Sequence, residues 1–345
     1  MPALIDLASA RGRALYAAAD GGLFISRGYR IFRSGDQGAS WELDCFVPQR
    51  GWQSLGAAFA LGRRLLRRDI QAFARAPEGW RMAVARDGVY RAGREEIRMR
   101  RSFRLTRGSR PLNLCMDGRR VLFGEYGDGL RNPGPRVYLS EDCGRTFAAV
   151  YEFPAGDIRH IHNVVLDPYT GDYWVLAGDF GAQPGIGVLS RDTRRFAWLA
   201  RGRQVFRAVS VLVGEEYLTY GTDSSSEANS IGRLDKKTGR FEKLRDIEGS
   251  SLYAGRAGGT GLISTCVEPN PAAPARTCSL YASRDGLAWE RVAAYRKDGF
   301  HAVYFQFGTL VLPGAGSGGA VTVFSGQALA GFHDRCRVVR LAEAA

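Results

Sequence analysis

A length of 345 residues would ordinarily suggest two domains, but 45% hydrophobic residues and 44 glycines suit one turn-rich β domain with a substantial core, spanning 1–345. No stretch is apolar for long enough to span a bilayer, and Met1–Leu7 has neither the basic start nor the apolar run of an export signal; this points to the cytoplasm, with secretion left open if the start is misassigned. The net charge of +13 rests on 48 basic residues, nearly all arginine, scattered without an aromatic–basic stripe, which argues against nucleic acid and toward an acidic oligo- or polysaccharide partner, unless the arginine only reflects a GC-rich genome.

Short β-rich runs then recur along the chain. Ala3–Leu7 is a candidate closing strand, as is Cys336–Leu341 at the other end. The stretch Ser34-Gly35-Asp36-Gln37-Gly38-Ala39-Ser40-Trp41 lies between two apolar runs and forms a hairpin turn. Its Asp can accept hydrogen bonds from the N–H groups ahead, Gly supplies a backbone angle other residues avoid, and the aromatic starts the next strand facing inward. Residues 55–68 place apolar residues at helical spacing with a basic end, an insertion (helix or long loop) between the first and second repeats.

Tyr90-Arg91-Ala92-Gly93-Arg94 repeats the register of Phe32 to Asp36. The turn returns as Ser140-Glu141-Asp142-Cys143-Gly144-Arg145-Thr146-Phe147, and one residue shorter as Ser283-Arg284-Asp285-Gly286-Leu287-Ala288-Trp289. Degenerate copies stand at Ser190–Phe196 and Leu234–Phe241, and Val323-Phe324-Ser325-Gly326-Gln327 supplies a seventh. Strand signals at Arg136–Leu139, Tyr173–Leu176, Val209–Val213, Tyr217–Tyr220 and Thr309–Leu312 fall between them. The key positions 36, 94, 142, 192, 235, 285 and 327 are roughly 42 to 58 residues apart, the length of one four-stranded blade. The fold class is therefore all-β, a seven-bladed β-propeller of four-stranded antiparallel blades, with six or eight blades as alternatives.

The three clear turns resemble the Asp-box of sialidase-like (BNR-type) β-propellers. The resemblance implies that the turns are structural and lie on the rim opposite the ligand loops, so Asp36, Asp142 and Asp285 are not catalytic candidates. It also invites a glycosidase. The Arg-Ile-Pro motif of sialidases has no clear counterpart, because Tyr29-Arg30-Ile31-Phe32 lacks the proline. The six cysteines have no metal-binding spacing; Cys266 and Cys278 flank a Pro-rich loop and could bridge it only in an oxidising compartment.

On the ligand face, three successive blades end their second strand alike, at Gly124-Glu125-Tyr126-Gly127-Asp128, Ala177-Gly178-Asp179 and Tyr220-Gly221-Thr222-Asp223. Each opens a polar loop, the first of which carries Arg131. Asp157-Ile158-Arg159-His160-Ile161-His162-Asn163 enters the fourth blade, with His160 and His162 on one side of an extended strand. Gln204 and Arg207 enter the fifth, and Lys297 and His301 the seventh. The chemistry this constellation suits is β-elimination on a uronate-containing polysaccharide. Arg207 or Arg131 would neutralise the carboxylate, His160 or His162 would take the proton, and Tyr220 or Tyr126 would give one. Glu125, Tyr126, Arg131, Arg159, Asn163, Asp179, Gln204, Asp223, Lys297 and His301 would bind substrate. No cofactor is required, although His160, His162 and Gln204 could hold a divalent metal. The alternatives are a non-catalytic glycan- or protein-binding propeller, and a glycoside hydrolase using Glu125 with Asp128 or Asp223.

Overall fold

The computed structural model describes residues 2–49, 64–65, 69–85, 87–105, 110–127, 134–272, 274–314 and 319–343. Its strands form five separate four-stranded sheets, each an antiparallel meander in sequence order, and one of eight strands in which the N-terminal strand lies beside the C-terminal one. The first unit runs Arg13–Ala17, Leu23–Arg27, Arg30–Ser34 and Glu42–Phe46; the next five begin at Ala72, Cys115, Ile161, Leu212 and Ser251. The seventh consists of Gly308–Val311, Val321–Gln327, Arg335–Glu343 and, outermost, the N-terminal strand Pro2–Arg11. Pro2–Arg11 pairs antiparallel with Arg335–Glu343, from Pro2 opposite Glu343 to Arg11 opposite Arg335. Two backbone pairings, Cys266 with Thr309 and Val267 with Gly308, join the sixth and seventh units into the eight-stranded sheet.

The hydrophobic cores show that the units close into a ring. Each core lies between two consecutive units rather than within one. Phe24 and Ile31 pack on Phe73 and Tyr90 between the first and second. Met82 and Val84 meet Val121 and Phe123 next. Leu122 and Val137 meet Val164 and Val175, and Trp174 and Leu176 meet Leu218 and Leu234. Ile231 meets Ile263 and Tyr281, and Leu262 and Leu280 meet Leu310 and Phe324. The last joins Val323 and Val338 of the seventh unit to Ala14 and Ile25 of the first. Inner strands covered on both faces are buried throughout, as in Tyr173–Ala177, whereas outer strands such as Arg100–Arg104 are largely wet. The fold is a β-propeller.

Five of the seven key positions fall between a unit's third and fourth strands, and a sixth, Asp235, is the last residue of a third strand. The seventh, Gln327, departs from this. It ends the second strand of its unit, because the fourth strand is supplied from the other end of the chain. Both candidate closing strands take part, side by side.

The three clear turns share one hydrogen-bond pattern. Asp142 accepts from the backbone N–H groups of Arg145 and Thr146, both at 2.9 Å, and from the hydroxyls of Thr146 at 2.7 Å and Ser140 at 2.7 Å. Asp36 accepts from the Ser40 N–H at 2.9 Å and the Ser34 hydroxyl at 2.8 Å, and Asp285 from the N–H groups of Leu287 and Ala288 at 2.8 and 2.9 Å. Gly144 has φ +75°, and a Cβ there would lie 2.4 Å from Met82 Sδ of the preceding unit, so the turn also locks two units together. Burial pushes the Asp142 pKa up, but the bonds from Thr146, Ser140 and Arg145 outweigh it and hold the group below its usual value of 3.8. The Ser40 and Ser34 bonds hold Asp36 at about 2. A carboxylate with a depressed pKa stabilises the fold above its unfolded pKa and loses that contribution as pH falls through the folded value. Asp142→Ala is therefore expected to cost roughly 1–3 kcal/mol at neutral pH, with the gap between variant and wild type narrowing below pH 3.8, as denaturant midpoints measured across pH would show.

Of the inserted segment 55–68, only Arg64 and Leu65 lie within the described residues, in helical conformation. Arg64 is buried and forms a two-pronged ion pair with Asp298, at 2.9 Å from Nη2 to Oδ1, on the segment leading into the seventh unit.

Candidate functional site

The first strands of the units line the hub, and the loops after second strands, together with the segments entering first strands, gather at one mouth. A cavity of about 340 Å³ opens there, within the range of small-molecule sites. Its wall includes Arg13, Arg110, Asn113, Tyr126, His162, Asn163, Arg207, Asp223, Tyr253 and Glu268, drawn from five units. A β-bulge recurs where first strands pair with second strands, at Leu15, His162 and Leu252, and all three residues face the cavity. An extra residue in a bulge leaves the ladder and is re-aimed; this, rather than simple strand alternation, turns His162 into the hub.

Asp179 organises the wall beneath the mouth. His160 Nε2 lies 2.8 Å from its Oδ2, and His162 Nε2 lies 3.1 Å from its Oδ1. Arg207 Nη2 approaches Oδ1 at 3.2 Å, and Gln204 Nε2 donates to the Asp179 carbonyl at 3.1 Å. Both imidazoles have their other nitrogen against a backbone carbonyl, His160 Nδ1 on Gly127 at 3.2 Å and His162 Nδ1 on Ala208 at 2.9 Å. The Tyr126 ring covers His160, with centroids 4.1 Å apart. Burial alone would raise the Asp179 pKa, but His160 and His162 hold it far below the carboxylate range. Burial pulls His162 below its usual 6.5, against the pull of Asp179. His160, His162 and Asp179, all buried, offer three ligand atoms within 4.8 Å of one another, so this cluster could hold a metal ion.

Beside it lies a second electrostatic unit. Arg207 Nε meets Asp223 Oδ2 at 3.2 Å, and Glu268 shares the Arg207 field. Burial raises both Asp223 and Glu268, Arg207 opposes the rise in each, and the Asp179 charge adds to it in each. Burial and the neighbouring Asp179, Asp223 and Glu268 charges push the Tyr126 hydroxyl up to about 12.

No known family profile matches the chain, and no curated protein matches it. Solved structures do. A chain of the mitotic checkpoint complex has TM-score 0.61 at 6% identity, over 98% of this chain and 95% of that one. The GH74 enzyme of Niastella koreensis has TM-score 0.56 at 11% identity, over 84% of this chain and 46% of that one. A chain of the nidogen/laminin complex has TM-score 0.52 at 12% identity, over 83% and 95%. The likeness is one of propeller fold.

Among the residues expected at the site, Tyr126, His160, His162, Asp179, Gln204, Arg207 and Asp223 form one connected cluster. Asn163 joins them on the wall, donating to the Val209 carbonyl at 2.9 Å and accepting from Asn113 at 2.6 Å. Arg159 sits at the rim, over the exposed Phe180 ring at 5.7 Å. Others lie elsewhere. Tyr220 is fully buried in the core between the fourth and fifth units, its hydroxyl donating to the Val205 carbonyl at 2.8 Å, so it does not reach the cavity. Glu125 braces the third unit, accepting from the Arg136 N–H at 3.0 Å and facing Tyr138. Lys297 is bound to Asp298 at 3.2 Å, and His301 is exposed beside Tyr304. Arg131 and Asp128 lie outside the described residues.

Glu268, Arg13 and Arg110 were not singled out in the sequence. Glu268 follows the second strand of the sixth unit, the place that Glu125, Asp179 and Asp223 occupy in theirs. It lacks the Gly-Asp signature, and only alignment by strand position would have found it.

Proposed function

We propose that the hub cavity takes an acidic, uronate-bearing oligosaccharide and cleaves it by β-elimination. One observation carries the reading: a single cavity of about 340 Å³ is faced by arginines from three units (Arg13, Arg110 and Arg207), by the carboxyls Asp223 and Glu268, and by the Tyr126 hydroxyl. Those are the three parts elimination needs. Cations next to the sugar carboxylate make the adjacent C–H acidic and stabilise the enolate that forms. A carboxylate whose pKa is raised is a stronger base than usual, and Glu268, which faces the cavity, fits that part. Tyr126 keeps its proton at neutral pH and can give it to the leaving oxygen. The C–H electron pair becomes the new C=C bond as the C–O bond breaks, so the proton lost to Glu268 is balanced by the one supplied from Tyr126.

The histidines are less suited to the base role than their sequence pattern suggests. Each uses Nδ1 on a carbonyl and turns Nε2 to Asp179, leaving neither nitrogen toward substrate. Arg207, bridging Asp179 and Asp223, acts as the electrostatic bridge of the wall. A link to the sialidase-like propellers belongs to the same proposal, supported by the three turns at Asp36, Asp142 and Asp285.

Incubation with a panel of uronate polysaccharides tests it. Elimination generates an unsaturated product absorbing near the far-ultraviolet edge. New reducing ends without that absorbance would replace the reading with a hydrolytic one, which the Asp223–Glu268 pair also favours; binding without turnover would leave a glycan-binding platform. Arg110→Ala is expected to raise KM more than tenfold on a cleaved substrate, by loss of a carboxylate contact.

A further inference from the structure

We propose that His160, His162 and Asp179 form a binding site for one divalent first-row transition ion, of the zinc or manganese class, buried under Tyr126 at the edge of the cavity. The argument starts from hydrogen placement. A carbonyl oxygen only accepts, so the contacts to Gly127 and Ala208 put the hydrogen of each imidazole on Nδ1. In the neutral rings Nε2 is then a lone pair facing the Asp179 carboxylate, His162 Nε2 at 3.1 Å and within hydrogen-bond geometry of Oδ1, His160 Nε2 at 2.8 Å from Oδ2 and outside it. Three electron-rich atoms, all within 4.8 Å of one another, converge on one buried point.

A pair of imidazolium rings hydrogen-bonded to Asp179 is the competing arrangement, and His160 fits it poorly. Its Nε2 is only 2.8 Å from Asp179 Oδ2, yet the two are not aligned as a hydrogen bond, and both atoms are buried without a hydrogen-bond partner. Atoms that are close but aimed past each other are what two ligands of a common ion look like. His160 is 7% exposed and Asp179 2%. Imidazole Nδ1–H held by a backbone carbonyl is also the arrangement that fixes ring orientation at metal centres. Gln204 adds a further buried oxygen without a partner, Oε1, on the amide anchored to the Asp179 carbonyl. Two imidazoles with carboxylate or amide oxygen suit a divalent first-row transition ion rather than calcium or magnesium. The ion would tie the fourth unit's entrance to the loops of the third and fifth through Gly127 and Ala208. It would also fix the floor on which Tyr126 rests, independently of which substrate the cavity takes.

Equilibrium dialysis of chelator-treated protein against micromolar zinc, and separately manganese, is the test. One ion per chain is expected, with a rise in melting temperature. For the zinc form, X-ray absorption should show two imidazole nitrogens at about 2.0–2.1 Å. Asp179→Asn, close to isosteric, and His160→Ala should each weaken uptake by at least 10²-fold. Wild-type protein that takes up neither ion overturns the proposal without reference to any variant. Uptake unchanged in both variants, or a zinc spectrum without imidazole neighbours, overturns it as well.

Discussion

Glu268→Gln is expected to lower the rate of elimination on a cleaved uronate polysaccharide by about 10²–10⁴-fold, the usual contribution of a positioned acid or base. Gln keeps the shape and the polar atoms but cannot take a proton. The wild-type pH profile carries a second mark of the same group. Burial raises the Glu268 pKa above its usual 4.5, and the base form is the ionised one. The rate should therefore climb with rising pH through a value above 4.5, and this limb should vanish in whatever activity the variant retains. Folding runs the other way. A carboxyl with a raised folded pKa contributes most below its unfolded pKa and loses that contribution as pH rises through the folded value. The variant should thus be no less stable than wild type at neutral pH. A variant with unchanged kcat removes Glu268 from the mechanism, and one that simply unfolds would be seen in the same melting curve.

Deleting Pro2–Arg11 should have the largest effect on stability. The strand covers the edge of Arg335–Glu343 along its length and is fastened by Asp6, whose carboxylate takes Nε of Arg337 at 2.7 Å and also pairs with Nη2. Its loss exposes a row of unpaired backbone groups and uncovers the core that joins the seventh unit to the first, where Ala8 and Ala10 pack on Val338 and Cys336. A loss on the order of 5 kcal/mol is expected, comparable with the whole stability of many domains. The shortened chain should melt early and without a sharp transition, and a synthetic peptide of residues 2–11 should restore part of the lost stability. Ile5→Ala, at a side chain 47% exposed, should change stability by no more than about 0.5 kcal/mol. A deletion that melts like wild type would show that the ring does not depend on this strand.

The architecture was largely legible because its signals are local. A Ser-x-Asp turn with its glycine one or two residues on closes on itself within a few residues, so Asp36, Asp142 and Asp285 each accept from the Ser hydroxyl behind and the N–H groups ahead. Repetition at blade length then counts the units. The seventh position failed at Gln327 for a non-local reason: the strand completing that unit comes from the far end of the chain, and no turn is needed where the chain does not turn.

The site was legible in part. Gly-Asp signatures and paired histidines picked out Asp179, Asp223, His160 and His162, because loops after equivalent strands must meet at one mouth. Tyr220 shows the limit. In sequence it stands beside Asp223, yet strand alternation sends its ring into the core between two units, where its hydroxyl needs the Val205 carbonyl. Glu268 shows the converse, a site residue without a motif.

The sequence by itself determined the repeating unit, the structural role of the Asp turns and the rim that carries polar loops, since each depends on contacts between neighbours in the chain. Only the tertiary structure decided which side chains share the hub and what each nitrogen faces. It set Arg207 between Asp179 and Asp223, turned both imidazoles onto one carboxylate, and brought Glu268 to the cavity from a blade with no marking signature. Those choices depend on ring closure and on a bulge at His162, and neither is encoded within a single repeat.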